Sequence, residues 1–173
     1  MRYVVSDWET FFDPKTYSVK TLGTEAYIRD PRFEAHGCAI KWSSSESAVW
    51  YDRHAVAGVI ARTDWTDVFL IHHHAHFDSL IESHHYGMRP RAIGCTLSMA
   101  RLLLGNHLSV SLDAVRRNFD MPPKTTPYGL FAGRHWDELS PAAQREVAAG
   151  ACDEVESIWK IFCLRYRISS KRG

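Results

Sequence analysis

Val68-Phe69-Leu70-Ile71-His72 contains an unbroken apolar run, and no other stretch so narrows what the chain can fold into. A strand with one face in water alternates apolar and polar residues, whereas a continuous apolar run marks a strand buried on both faces. Such a strand needs packed layers on either side, which points to a sheet flanked by helices. An earlier apolar segment, Tyr3-Val4-Val5, predicts a first strand over about 2–7. Residues 36–42 and 48–51 read as two strands joined by a Ser-rich turn, an antiparallel hairpin. A short helix is expected at 24–29, stopped by Asp30-Pro31 because the residue before proline is pushed out of the helical region.

Beyond the apolar run the pattern turns helical. A helix is predicted over 77–86 with Gly87 as its cap, then a short strand at 91–94 and helices at 97–104 and 111–119. Residues 122–133, rich in Pro, Thr and Gly, read as a long loop. Ser140-Pro141 supplies an N-cap followed by proline at the first helical position, and the last helix runs from there to about 167. Three strands followed by β-α-β-α and a long helix predict an α/β fold on a mixed sheet, with residues 1–173 as a single domain.

The 45% hydrophobic and 24% charged fractions exclude a disordered chain, and a net charge of +1 advertises no general affinity for duplex nucleic acid. No segment approaches the roughly 18 apolar residues of a membrane span. Cys38, Cys95, Cys152 and Cys163 are widely scattered, without a C-x-x-C pair. They suit a reduced, cytoplasmic protein.

Four acids carry the candidate chemistry. Asp7 and Glu9 follow the first strand at a spacing of two, which places both on one face. Asp78 lies beyond the central apolar run at the start of a helix, and Asp153 lies in the final helix among apolar neighbours. Each alone fits a strand end or a helix cap. Together they make a cage of hard oxygen ligands suited to Mg2+ or Mn2+. The run His72-His73-His74-Ala75-His76 invites a zinc reading, but alternate residues of an extended strand face opposite ways, so at most two could converge.

In these motifs the chain resembles the 3′–5′ exonuclease domain of family A DNA polymerases, notably the bacteriophage branch, within the DEDD exonuclease superfamily. The resemblance rests on Asp7-Trp8-Glu9, on the segment Gly23 to Glu34, on His73-His74-Ala75-His76-Phe77-Asp78 and on Asp153-Glu154-Val155-Glu156. It implies a ribonuclease H-like fold and hydrolysis of nucleotides from a 3′ end. Asp7, Glu9, Asp78 and Asp153 would hold two metal ions, Mg2+ or Mn2+, about 3.5–4 Å apart. Trp8, Thr10, His74 and Phe77 would meet the substrate beside the first two motifs.

Two departures stand out. The family carries a tyrosine four residues, or a histidine five residues, before its last aspartate to handle the attacking water; here those positions are Ala149 and Ala148. His135 is the candidate substitute. His74 stands where the family has asparagine. Lys124 and Arg134, in or beside the long loop, and the basic tail (Arg165, Arg167, Lys171, Arg172) are candidates for holding a phosphate backbone.

The expected function is a metal-dependent 3′–5′ exonuclease on single-stranded DNA ends. It would proofread for a DNA polymerase in cis or in trans, in the host cytoplasm if phage-encoded. The alternatives are an exonuclease trimming RNA or short oligonucleotides, and a catalytically weak nucleic-acid-binding or polymerase-docking module.

Overall fold

Five strands, β1 (Arg2–Thr10), β2 (Ala35–Trp42), β3 (Val49–Asp52), β4 (Val68–His72) and β5 (Ala92–Cys95), form one mixed sheet in the order β3-β2-β1-β4-β5. The hairpin partners are antiparallel, while β1, β4 and β5 run parallel. The computed structural model describes residues 1–105, 107–126 and 128–170, with side chains through residue 164. Lys171 and Arg172, and the side chains of Arg165 and Arg167, lie outside the described residues.

Helices α1 (Val19–Leu22), α2 (Thr24–Arg29), α3 (Val56–Ala61) and α4 (Ala75–His85) precede α5 (Thr96–Leu104), α6 (Leu112–Asn118), α7 (Tyr128–Phe131) and α8 (Pro141–Ser170). The strand pleat divides them. Val4, Trp8, Cys38, Ile40 and Leu70 point into one core with Ile28, Ile60 and Ile81 of α2, α3 and α4. Val5, Ala39 and Ile71 point into the other, against Val115 of α6 and Ala151, Val155 and Ile158 of α8. The apolar run at 68–72 is therefore buried on both faces, as its composition requires. Each fully buried Val, Ile or Leu stabilises the fold by about 1.5–3 kcal/mol, so these two layers fix where α4 and α8 lie on the sheet.

Three local differences from the sequence-based expectations matter. β1 continues three residues further than predicted, because 7 to 9 pair with β2 through Asp7↔Ala39 and Glu9↔Gly37. At Gly37 a Cβ would lie 2.4 Å from Trp50 and from the Tyr51 carbonyl, so only glycine lets β2 and β3 approach this closely. α3 had no forecast, and the long loop contains the single turn α7. Among the described residues, no helix is long and apolar enough to cross a membrane.

Candidate metal centre

The pleat that sends Val4 and Trp8 toward α4 sends Val5, Asp7 and Glu9 toward α8. There they meet Glu154. Asp7, Glu9 and Glu154 each offer a carboxylate oxygen, and these oxygens lie within 4.8 Å of one another. Asp78, in the first turn of α4, closes the other side: its Oδ1 accepts from the Trp8 backbone N–H at 3.4 Å. The four carboxylates line a cleft of about 380 Å3 with Lys124 and Tyr128.

Asp153, expected as the acid of the last helix, does not join them. The buried stripe of α8 runs through Val147, Ala151, Val155 and Ile158, and Glu154 lies on it. Successive helical residues turn by about 100°, which carries Asp153 round to α6. Its Oδ2 there accepts from Arg116 Nη1 at 2.7 Å, and its side chain is 41% exposed. The signal for Glu154 was present in the sequence, since 147, 151, 154 and 158 are spaced four, three and four apart. Ala149, small and apolar yet exposed, blurs the phase of that stripe by one residue.

His135 is also displaced from its expected role. Its ring stacks on Phe11 at 4.2 Å and its Nδ1 bonds Glu34 Oε2 at 3.0 Å, outside the acid cleft. A hydroxyl in the cleft, hydrogen-bonded to one of the acids, belongs instead to Tyr128 of α7, which had no sequence-based assignment. It accepts from Lys124 Nζ at 2.7 Å and is hydrogen-bonded to Glu154. Lys124 Nζ also lies 2.6 Å from Glu154 Oε2, and the Thr126 hydroxyl donates to Glu154 Oε1. Gly150, four residues before Glu154, is buried against this segment; a Cβ there would lie 2.8 Å from Thr126 Cα. Thr126 therefore fills the space that a side chain at position 150 would need.

The electrostatics match the crowding. Burial, then the Glu154 charge, hold Asp7 and Glu9 well above the ordinary carboxylate range, with Asp78 adding to both. Burial lifts Asp78 to about 7 despite the opposing pull of His72. Burial and the neighbouring carboxylates likewise push the Tyr128 phenol up. Four acids forced together in this way want a cation. Their donors are all hard oxygens, which fits Mg2+ or Mn2+ better than zinc.

Beneath the acids lies a buried support. His72 and Glu82 form an ion pair at 3.2 Å, and Glu82 Oε1 accepts from Ser6 Oγ and from Trp8 Nε1. Burial alone would discharge His72, but Glu82 outweighs it and holds the imidazole pKa at about 9. Trp8 is stacked on Tyr86 in the core, and Thr10 is bound to the Tyr27 hydroxyl at 2.7 Å, so both predicted substrate contacts have side chains engaged in packing. Phe77 and the exposed His74 line the cleft with parallel rings 6.4 Å apart. His73 is held by Thr96 and by the Val110 carbonyl, and the histidine run forms no three-ligand cluster among the described residues.

No protein-family model matches the chain, and no curated protein matches it in sequence. Solved structures match it in fold. Brucella melitensis NrnC with bound Mg2+ aligns with a TM-score of 0.63 at 17% identity, covering 99% of this chain and 75% of that one. The same protein bound to pGG gives 0.64 at 16%, covering 99% and 74%. The catalytic core of RRP6 from Trypanosoma brucei gives 0.55 at 13%, covering 91% of this chain and 39% of that one. The chain thus has a ribonuclease H-like fold, as the resemblance implied. The narrower likeness to polymerase exonuclease domains has no counterpart among these neighbours.

Proposed function

We propose that this protein is a divalent-metal-dependent 3′–5′ exonuclease that trims short oligonucleotides, RNA included. The observation that carries this reading is the convergence of Asp7, Glu9 and Glu154 within 4.8 Å, with Asp78 beside them, at the end of a central strand. These four would hold Mg2+ or Mn2+, two ions by the four-acid arrangement. When bound, such ions supply positive charge that acidifies a water and stabilises the departing 3′ oxygen.

The chain's own groups do the rest. Tyr128 presents a hydroxyl among the carboxylates and takes the water-orienting role that the sequence assigns to His135. Phe77 and His74 form an aromatic wall on which a terminal base can stack. The buried pair of His72 and Glu82, tied to Ser6 and Trp8, keeps β1 and α4 in register so that Asp7 and Asp78 stay opposed.

The oligonucleotide reading is preferred over the proofreading of DNA expected from the sequence. It is supported by the fold neighbours, NrnC in complex with pGG and the RRP6 catalytic core, whereas nothing supports a polymerase partner. Scattered thiols such as Cys38, Cys95 and Cys152 fit a cytoplasmic setting.

The test is direct. RNA and DNA of two to twenty nucleotides and a DNA duplex with a mismatched 3′ end, each labelled at the 5′ end, are incubated with the protein and Mg2+, Mn2+ or EDTA. Shortening from the 3′ end, faster on short RNA and abolished by EDTA, is the expected result. No shortening with either metal at stoichiometric protein overturns the reading, and a preference for mismatched duplex DNA restores proofreading.

A further inference from the structure

Among the described residues lining the cleft, Lys124 is the only lysine or arginine, and it sits where a metal ligand is needed. Both oxygens of Glu154 are already engaged: Oε1 accepts from Thr126, and Oε2 faces the Lys124 ammonium at 2.6 Å. An ion that takes Glu154 as a ligand must share or displace one of these partners. The ammonium is the one that cannot stay, because two cations on one carboxylate oxygen repel each other at short range. The lysine can move. Its charge ends a flexible four-carbon stem, while its backbone N–H is anchored to Asp113 Oδ1 at 3.1 Å. Its second partner, the Tyr128 hydroxyl at 2.7 Å, is neutral and compatible with a cation nearby.

We propose that Lys124 is a two-position cation: it neutralises the acid cluster through Glu154 in the metal-free protein, and passes to a substrate phosphate when metal takes Glu154. This rests on reading the cleft as a phosphodiester-cleaving site. A phosphate entering four carboxylates needs positive charge beyond that spent on the acids, and a lysine released at the same moment supplies it. The device also keeps the cluster neutralised before metal arrives.

The two positions predict effects of opposite sign, which a structural lysine does not produce. Lys124→Gln removes the competitor, so the Mg2+ concentration at half-maximal thermal shift, measured without nucleotide, falls roughly ten- to a hundredfold, the scale of one charge-assisted hydrogen bond. The same substitution weakens binding of GMP, measured by calorimetry in saturating Mg2+, by about tenfold. Lys124→Arg retains the charge and keeps GMP affinity closer to that of the parent than Lys124→Gln does. A Mg2+ midpoint that is unchanged or raised in Lys124→Gln overturns the displacement; unchanged GMP affinity overturns the transfer to phosphate. If the parent protein binds no GMP, the nuclease reading and the transfer fall together, while the Mg2+ titration still decides the competition at Glu154.

Discussion

Glu154 and Asp153 are neighbours in sequence with opposite fates, and the difference is one helical step. Glu154 is nearly fully buried and faces two other carboxylates, Lys124 and Tyr128. Asp153 faces Arg116, itself 1% exposed and also donating to the Pro122 carbonyl at 2.6 Å. Glu154→Gln should therefore abolish the Mg2+-dependent thermal shift and lower kcat by several orders of magnitude. Asp153→Asn should leave kcat within about threefold and cost stability instead, since it weakens a charge-assisted bond to a buried guanidinium worth about 1.5–3 kcal/mol. Reversed phenotypes in the oligonucleotide assay would return the metal ligand to Asp153. The D-x-E pair and Asp78 were legible because strand periodicity and a helix start fix them within one residue. The last acid was not, since two adjacent acids on an amphipathic helix differ only in phase, and small alanines leave that phase poorly marked. Tyr128 was invisible for another reason: its place follows from how a proline-rich segment folds back on α8, a long-range contact with no local pattern.

At the scale of elements, α7 and the segment before it are held against α8 at a glycine. Helix propensity alone says that Gly150→Ala should stabilise α8 by about 1 kcal/mol. The close contact with Thr126 says otherwise, because a Cβ 2.8 Å from a backbone carbon forces residues 122–126 to shift. The contact dominates, as the nearest atom is a backbone carbon and not the far end of a flexible side chain. Gly150→Ala is expected to give no gain in Tm and to lower kcat by about tenfold by moving Tyr128, which makes it a partial copy of Tyr128→Phe. The latter removes only the hydroxyl and should lower kcat by about 10–100-fold with KM within twofold, as fits a group acting on the attacking water rather than on substrate affinity. A Tyr128→Phe enzyme with the parent kcat would remove tyrosine from the water-handling role. A Gly150→Ala protein that is both more stable and fully active would show that the segment need not sit where it does.

For the molecule as a whole, the acid cluster makes stability depend on pH and metal together. Burial and mutual repulsion raise Asp7 and Glu9, and hold Asp78 at about 7, against about 4 for an unfolded carboxyl. A raised carboxyl favours the fold while it keeps its proton, so this contribution is complete below about pH 4, and the Asp78 share of it is lost as pH rises through about 7. His72, lifted to about 9, acts in the same direction: its contribution is full below its unfolded value of about 6.5 and is lost as pH rises through 9. The Tm of the metal-free protein should therefore fall between pH 5.5 and 8. Mg2+ reverses this, because it binds the ionised carboxylates and so gains affinity over the same range. At a hundredfold excess over its dissociation constant, a ligand of the native state adds about 2.7 kcal/mol, or about 5–10 °C in Tm for a chain of this size. The Mg2+-induced shift should approach that value at pH 8 and be small at pH 5.5. Asp7→Asn should flatten the metal-free pH profile, since it removes one charge from the repulsion, and should lose most of the Mg2+ shift with it. A metal-free Tm that climbs toward pH 8 would mean that the carboxylates are already neutralised within the protein, leaving Lys124 a larger share of the cluster's charge than a single ion pair with Glu154 implies.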